Sequence, residues 1–585
     1  AGLALEATPN AGVHTAESII GPRRDYRVRF STAGTYQLWV RMRGLTASDD
    51  TIHAGLDGLA ATLGQSGLLA PSGWTWMNTV GTRRVTLTIG SPGLHTVNVW
   101  MREDGVFVDK ILLTTSAAFT PTGTGPAESP REGGPPAQPG EWSAPIVWPI
   151  EGVHGHLLPN GKVLFLSYGD EGDMHVHVWD PATDVFTPAP PEHANVGCSG
   201  HAFLPDGRLL VAGGEPHHDH SGAGIPQAHV FDYRDNSWFM LPDMNAARWY
   251  PNVTTLASGE MAVVTGDVTT DVGNPIPQVL RADGTWRTLS TANRTLPSYS
   301  FTHLAPDGRV FVSGPEPHSV YLDTSGTGAW SDVVASNAFT RIRTYGSSVL
   351  YDDGRILVLG GGDPPTNTAE VIDLNQATPR WRAVAPMNFA RRQLNATLLP
   401  DGRILVSGGT SGPGHNNTAQ PILPAEIWDP ATERFTVVAA KQVPGLYHSL
   451  ALLLPDGRVV TTPGRWAANP NEEGREVQFY KPDYLLRGPR PSISSAPATV
   501  GYGTSFFVGT PDAARIARVT WLRLPSVTHA FDQNQRMNRL GFTAAAGGIN
   551  VTTPSSRNLC PPGHYLLFLL DAQGVPSVAR IVQIL

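Results

Sequence analysis

From residue 157 onward the chain repeats one pattern of apolar and polar positions. A run of apolar residues leads into a tight turn ending in Gly, and a second apolar run follows that often ends in Gly-Gly. The copies are "LPNGKVLFLSYG", "LPDGRLLVAGG", "LASGEMAVVTG", "APDGRVFVSGP", "YDDGRILVLGG", "LPDGRILVSGG" and "LPDGRVVTTPG". Their turn glycines are Gly161, Gly207, Gly259, Gly308, Gly354, Gly402 and Gly457, spaced 46 to 55 residues apart. Asp-Gly between alternating apolar residues is a hairpin signal, because the turn it makes needs positive φ. Each copy runs on into a segment such as "VWDPATDVFTPAP" or "EIWDPATERFTVV", which reads as a second hairpin. Four strands per repeat in seven copies predict an all-β fold built on a seven-bladed β-propeller over 142–487.

The flanking segments alternate differently. Residues 1–117 hold "YRVRFSTAGTYQLWVRM", "RRVTLTIGSPGLHTVNVWM" and "GVFVDKILLT", strand patterns parted by Gly-containing turns, as in a small β-sandwich. Residues 118–141, with "FTPTGTGPAESPREGGPPAQPGEW", lack periodicity and read as a Pro/Gly-rich linker. After the propeller, "SFFVGT", "ARVTWLRLP" and "HYLLFLLDAQGVPSVARIVQIL" predict an immunoglobulin-like sandwich over 488–585. Length agrees with three domains, since 585 residues exceed what one core serves. A net charge of -8 and no run of Lys or Arg exclude a nucleic-acid or membrane-surface footprint and favour small partners. No apolar run reaches the roughly 18 residues of a membrane span. Residues 1–20 carry no charged segment followed by an apolar core, so a secretory signal is absent or already removed, and the mature chain is expected outside the cytoplasm. Two cysteines, Cys198 and Cys560, make one bridge at most, or two free thiols.

Register then brings in chemistry. In a propeller, residues at one offset from the turn Gly form a ring about the central axis. Nine residues before each turn Gly stand Gly152, Cys198, Tyr250, Tyr299, Tyr345, Gln393 and His448. Tyr447 precedes His448 in "PGLYHSLALLLPDG". A thiol, phenols and an imidazole thus converge at one end of the channel, opposite the "LPDG" turns. Each residue alone reads as packing; together, in one register, they read as a redox metal site. Imidazole and phenolate donors with an open position suit Cu(II), and this count leaves the ligand set incomplete.

These residues resemble the galactose oxidase and glyoxal oxidase group of copper radical oxidases, kelch-repeat enzymes. The motifs are "GCSGHAFLPDGRLLVAGG" around Cys198, "RWYPNVTTL" around Tyr250, "LYHSLALLLPDGRV" around Tyr447 and His448, and "THAFDQNQR" around His529. The resemblance spans roughly 142–585. It implies one copper ion held by Tyr250, Tyr447, His448 and His529, the last carried into the channel by a loop of the C-terminal sandwich. It also implies a Cys198–Tyr250 thioether that serves as a protein-derived radical cofactor. A primary alcohol or hydrated aldehyde would lose its hydroxyl proton to Tyr447 and a hydrogen atom to the Tyr250 radical, and O2 would leave as H2O2. Catalytic roles therefore fall to Cys198, Tyr250 and Tyr447.

One departure bears on substrate. Galactose oxidase covers its thioether with a tryptophan just past the blade's Gly-Gly, whereas "VVTGDVTTDVGNP" here holds no aromatic. Either another aromatic covers the radical or the radical is more exposed. Arg294 is out of register for a sugar clamp, so small aldehydes or simple primary alcohols are favoured over galactose or another sugar alcohol. A noncatalytic kelch-type binding scaffold is the alternative of a different class; a hydrolase would need paired carboxylates on the axial ring, and none stands there. Elsewhere, His217, His218 and His220 in "EPHHDHSG" read as a solvated loop with a weaker metal reading, and Cys560 as structural. The N-terminal sandwich resembles carbohydrate-binding modules: Glu6 and Asp109 match positions of a structural calcium, and Trp74 and Trp76 in "GWTWMN" are candidates to stack on a glycan.

Overall fold

A computed structural model describes residues 5–6, 23–44, 46, 51–61, 73–80, 83–126, 140–168, 174–190, 196–216, 223–464 and 474–585. The chain is all-β; among the described residues its helical turns are two short 3-10 segments, Asp483–Leu486 and Ala513–Arg515, and no helix is long and apolar enough to cross a membrane. It divides into two compact units, 1–136 and 137–585. The stretch 127–139 of the expected linker lies outside the described residues, and its last residue, Glu141, is already in a strand.

The first unit is a two-sheet sandwich. One sheet runs in the order Leu5–Glu6, Phe107–Thr114, Gly34–Arg43, Thr75–Met77, and the other Arg23–Phe30, Gly93–Met101, Ile52–Leu56, Leu59–Ala61. Alternation puts Leu38, Val40 and Met42 of one sheet against Ile52, Ala54, Val97 and Val99 of the other in a single core.

Among the described residues of the second unit, seven antiparallel sheets follow one another along the chain, each with four strands at its heart. Their inner strands are His154–Leu157, Gly200–Phe203, Asn252–Thr255, Phe301–Leu304, Ser347–Asp352, Arg392–Leu398 and Leu450–Leu453, here sheets 1 to 7. These strands are buried almost throughout, which explains why they read as continuous apolar and small-polar runs. All seven turn glycines have φ between 67° and 89°, as the hairpin reading requires. Sheet 7 takes its outermost strand, Glu141–Trp142, from ahead of sheet 1: Glu141 pairs with Lys481 and Trp142 with Tyr480. The inner strands of sheets 1 and 7 are neighbours, and Thr462 Oγ1 donates to the carbonyl of Gly152 at 2.8 Å.

Residues 488–585 form a five-stranded and a three-stranded sheet around Trp521, Tyr565, Leu567 and Leu569. They lie within the second compact unit rather than a unit of their own. The reason is a hairpin, Ser526–Thr528 and Phe531–Asp532, that leaves these sheets and adds to the inner edge of sheet 1, pairing His154 with Thr528 and His156 with Ser526.

Arginines two residues before the ring position brace sheets 5 and 6. Arg343 meets Glu370 at 2.7 Å and Arg391 meets Glu426 at 2.8 Å, the latter pair with side chains fully buried. Removing one partner of such a pair strands the other charge in a dry interior, at about 3–5 kcal/mol. Glu426→Ala should lower the unfolding free energy by that amount, read as a lower guanidinium chloride midpoint at unchanged m, and an unaltered midpoint would refute the assignment.

Candidate metal centre

The ring read from the sequence is present as a backbone feature. Cys198, Tyr250, Tyr299, Tyr345, Gln393 and His448 all adopt left-handed φ, between 49° and 67°. Side chains with a Cβ avoid this region, so each such residue is held there by its surroundings at about 1–3 kcal/mol. The holding bonds run from sheet to sheet. Tyr250 N–H donates to Cys198 O at 2.9 Å, Tyr299 N–H to Tyr250 O at 2.8 Å, and Gln393 N–H to Tyr345 O at 2.7 Å. The kink at the start of each inner strand turns these side chains toward one region.

There the expected residues meet. The hydroxyls of Tyr250 and Tyr447 share a short hydrogen bond. Tyr447 stacks on His448 with centroids 3.9 Å apart, and His448 meets His529 edge-on at 4.4 Å. The ring of Tyr250 lies 4.8 Å from that of His529, and Cys198 Sγ lies 3.8 Å from His529 Nε2. One donor atom each of Cys198, His448 and His529 falls within 4.8 Å of the others. Cys198, Tyr250, His448 and His529 are buried and Tyr447 is half-buried. Burial, with Cys198 and Tyr345 nearby, pushes the Tyr447 phenol well above its ordinary pKa, and burial does the same to Tyr299.

His529 arrives on the added hairpin, and the hairpin is oriented by a hydrogen-bond chain. Burial lowers the pKa of His154 to about 3, so its ring is neutral. Its Nε2 accepts from Cys198 N–H at 3.1 Å, which leaves Nδ1–H to donate to Thr528 Oγ1 at 2.6 Å. The same oxygen lies 2.6 Å from His529 Nδ1. Tyr299 donates to Ser199 O at 2.8 Å, and its oxygen lies 3.5 Å from Thr528 Oγ1. The tautomer of His529 with its proton on Nδ1, donated to Thr528, turns an Nε2 lone pair toward Cys198, as a metal ligand needs. Below it, Asp532 accepts from the N–H groups of Ser526, Asn534 and Gln535 at 2.9, 3.0 and 3.0 Å.

Sequence reasoning missed Trp249, His154, Thr528 and His415. Trp249 stacks on Tyr250, centroids 4.0 Å apart and planes 19° apart, and Tyr299 covers the other side at 4.5 Å. The aromatic absent from "VVTGDVTTDVGNP" is therefore supplied by the residue next to Tyr250 in "RWYP"; the signal was in the quoted motif. Arg294 donates to the carbonyl of Ser331 at 3.4 Å, a position that makes no sugar clamp. Cys560 sits in the C-terminal core, where burial raises its thiol to about 11. His217, His218 and His220 lie outside the described residues. In the first unit Trp76 donates to Gly123 O at 3.2 Å and packs on Gly125, and Trp74 lies 5.1 Å from Arg41 and 5.7 Å from Arg43. The two rings are spent on the chain itself, so the glycan expectation finds no support. Asp109 is occupied by the Arg41 guanidinium, a cation where calcium was expected, and the Glu6 side chain lies outside the described residues. A cavity of about 960 Å³, lined by Arg355, Arg403, Arg518 and Arg539 with Asp352 and Asp401, contains none of the centre's residues.

The fold and the buried phenol, imidazole and thiol cluster define an all-β protein with the donor set of a redox metal centre. Comparison with known proteins narrows this. Residues 490–584 match the model of the galactose oxidase-like early set domain, 362–479 that of the glyoxal oxidase N-terminus, and 2–128 that of the glycosyl hydrolase family 115 C-terminal domain. Galactose oxidase of Gibberella zeae is 26% identical over 493 residues, covering 76% of this chain and 70% of its own length. Aldehyde oxidase GLOX of Vitis pseudoreticulata is 26% identical, covering 66% of this chain and 81% of its own. A solved structure of a fungal alcohol oxidase of the AA5 family, in complex with copper, aligns with a TM-score of 0.69 at 25% identity, covering 76% of this chain and 99% of that one. Over these stretches the chain is similar to the galactose oxidase and glyoxal oxidase group of oxidases.

Asp532→Ala removes three acceptor bonds from the hairpin that carries His529. We expect a loss of about 2–4 kcal/mol in the second unit, and faster amide hydrogen exchange at Ser526, Asn534 and Gln535 than elsewhere in the unit. Uniform exchange across the unit would contradict a local tether.

Proposed function

We propose that the chain is a copper radical oxidase that oxidises small aldehydes or simple primary alcohols with O2 and releases H2O2. The observation that carries this reading is the meeting of two hydroxyl-bonded phenols, two imidazoles and one thiol in a single buried cluster. The seven sheets are then the blades of a propeller closed by Glu141–Trp142, with 142–487 and 488–585 as separate domains sharing one site. The donor set fits copper: two imidazoles and two phenol oxygens are ligands that Cu(II) prefers among divalent ions. Tyr250, Tyr447, His448 and His529 would hold it. When bound, copper supplies a Lewis acid and a one-electron acceptor.

The protein's own groups do the rest. Tyr447, its own proton displaced when the metal is bound, would take the substrate's hydroxyl proton, and its bond to Tyr250 holds both oxygens at one place. Tyr250, joined to Cys198 by a thioether and oxidised, takes the hydrogen atom from carbon. Trp249 and Tyr299 sandwich its ring, exclude water and spread the unpaired electron. The absence of a sugar-clamping arginine at Arg294 favours small substrates over galactose. An extracytoplasmic location suits a copper and peroxide chemistry.

Aerobic copper loading tests the reading. The intact mass should fall by about two hydrogens, a Cys198–Tyr250 peptide should be recovered, and a peroxidase-coupled panel of aldehydes and primary alcohols should yield H2O2. A chain with neither crosslink nor peroxide is a binding scaffold instead. Cys198→Ser should keep copper binding and lose most turnover, on the order of the 10²- to 10⁴-fold that a single essential group contributes. Trp249→Ala should shorten the lifetime of the oxidised form's visible absorption by at least tenfold; an equal lifetime would deny Trp249 its covering role.

A further inference from the structure

The residue one position before the ring residue also falls in register. Trp249 and Tyr447 hold that position in sheets 3 and 7, and both contact the phenols of the centre. In sheet 6 it is Arg392, and Arg392 organises something the reading above leaves unused. Its guanidinium lies 5.2 Å from the centroid of the Tyr345 ring and 2.9 Å from Asp363 of sheet 5. Asp363 in turn accepts from Gly414 N–H at 3.2 Å with each oxygen. Gly414 belongs to the loop 411–420, which returns from Ile404–Thr410 to Pro424–Asp429. Further bonds brace the loop. Gly412 N–H donates to Thr410 Oγ1 at 3.1 Å, Ser411 N–H to Gln420 O at 3.0 Å, and the ring residue Gln393 donates its amide to His415 O.

The product of this bracing is the position of one side chain. His415 is exposed, yet its ring stands edge-on to Tyr447 with centroids 4.4 Å apart, and its Nε2 lies 3.1 Å from the Tyr345 hydroxyl. Tyr345 itself approaches Tyr447 at 5.8 Å. On the solvent side of the paired phenols the protein therefore presents an imidazole and a hydroxyl, fixed by a guanidinium, a carboxylate and a loop. An aromatic or aliphatic lining would select for apolar substrates. A polar pair held this rigidly instead offers a hydrogen bond to a part of the substrate that does not react.

We propose that His415, held by Tyr345 and by the Arg392–Asp363 pair, orients the substrate by hydrogen-bonding a second oxygen one carbon removed from the reacting centre. His415 is thus a specificity-determining residue, and the assignment rests on the oxidase reading of the same centre. It makes no use of a change in the charge of His415. The substrates it favours carry oxygen on adjacent carbons; those it disfavours are matched molecules lacking that oxygen.

Glycolaldehyde and acetaldehyde form such a pair, both as hydrates in water. In the copper-loaded chain, His415→Ala should lower the ratio of kcat/KM for glycolaldehyde over acetaldehyde about tenfold, the worth of one substrate hydrogen bond, chiefly through KM. His415→Asn should recover part of it, and Tyr345→Phe, which frees the imidazole from its hydroxyl partner, should lower it less. Two further readouts separate this from damage to the centre. Intact mass should show the two-hydrogen loss in every variant. Glycolaldehyde added without O2 should perturb the copper absorption of the native chain and not that of His415→Ala. Crosslinked, active variants that keep the native ratio overturn this inference alone. A native chain with no crosslink and no peroxide overturns the oxidase reading and this assignment with it.

Discussion

The structure depends on a backbone kink repeated from sheet to sheet. Ahead of each inner strand from sheet 2 to sheet 7, or at its second residue in sheet 6, a residue with a Cβ is held at left-handed φ, and in three places its N–H or C=O is bonded to the equivalent residue of the next sheet. A strand entered in the ordinary extended conformation would alternate its side chains between the faces of its own sheet. The kink breaks that alternation and sends one side chain per sheet out of the strand's pleat. The cost of six such residues is borne by the packed sheets beneath them, whose inner strands are buried. Without this repeated kink, Cys198, Tyr250 and His448 would be three residues scattered over 250 positions of sequence.

Much of this was legible beforehand, because a fixed offset from a turn Gly is a geometric statement. The seven glycines have the φ that the Asp-Gly reading demands, and the seven-membered set nine residues upstream includes six left-handed residues. Gly152 completes the set, and only there is no positive φ recorded. What the offset could not convey was direction beyond the ring. Trp249 was visible in "RWYP", but a tryptophan beside a tyrosine in a strand would point to the opposite face. It stacks on Tyr250 only because Tyr250 is kinked. His415 was illegible for another reason: it sits in a loop whose path is set by Asp363, about 50 residues away in another sheet, and by the Gln393 amide. The tryptophans of the first unit show the converse. Trp74 and Trp76 had the right spacing for a ligand platform, but Arg41, Arg43 and the 123–125 segment occupy their faces.

The arginines at the top of the sheets separate support from chemistry. Arg343 and Arg391 each meet a buried glutamate in the third strand. In sheet 3, where Tyr250 stands, the matching strand offers Gln278, and Arg248 is bound instead by the carbonyls of Thr265 and Ile276 and by Asn245. Neutral oxygens compensate a guanidinium less completely than a carboxylate does, and burial lowers the Arg248 pKa to about 9. The sheet carrying the proposed radical residue is thus braced without a carboxylate paired to the arginine two residues before it. A fixed negative charge there would favour oxidation of the phenol and make the oxidised ring harder to use.

The hairpin bearing His529 shows why neither set of sheets can build the centre alone. It is a two-stranded ribbon, a form too small to be stable in water by itself. It persists because Ser526–Thr528 pairs with the inner edge of sheet 1, because Asp532 gathers three amides at its base, and because Gln533 and Gln535 accept from the backbone of sheets 2, 3 and 6. Arg523 reinforces the exit, reaching Phe203 and Thr255 with its guanidinium. Every one of these partners is backbone or neutral polar rather than apolar, so the contact is specific in register where a greasy one would slide. A slip of one residue would exchange Thr528 for His529 opposite His154. The hydrogen-bond chain from His154 through Thr528 to Tyr299 would then have no hydroxyl at its centre, and the imidazole that should face Cys198 would face sheet 1. The last donor of the centre is therefore positioned by strand register, the same kind of constraint that positions the first three.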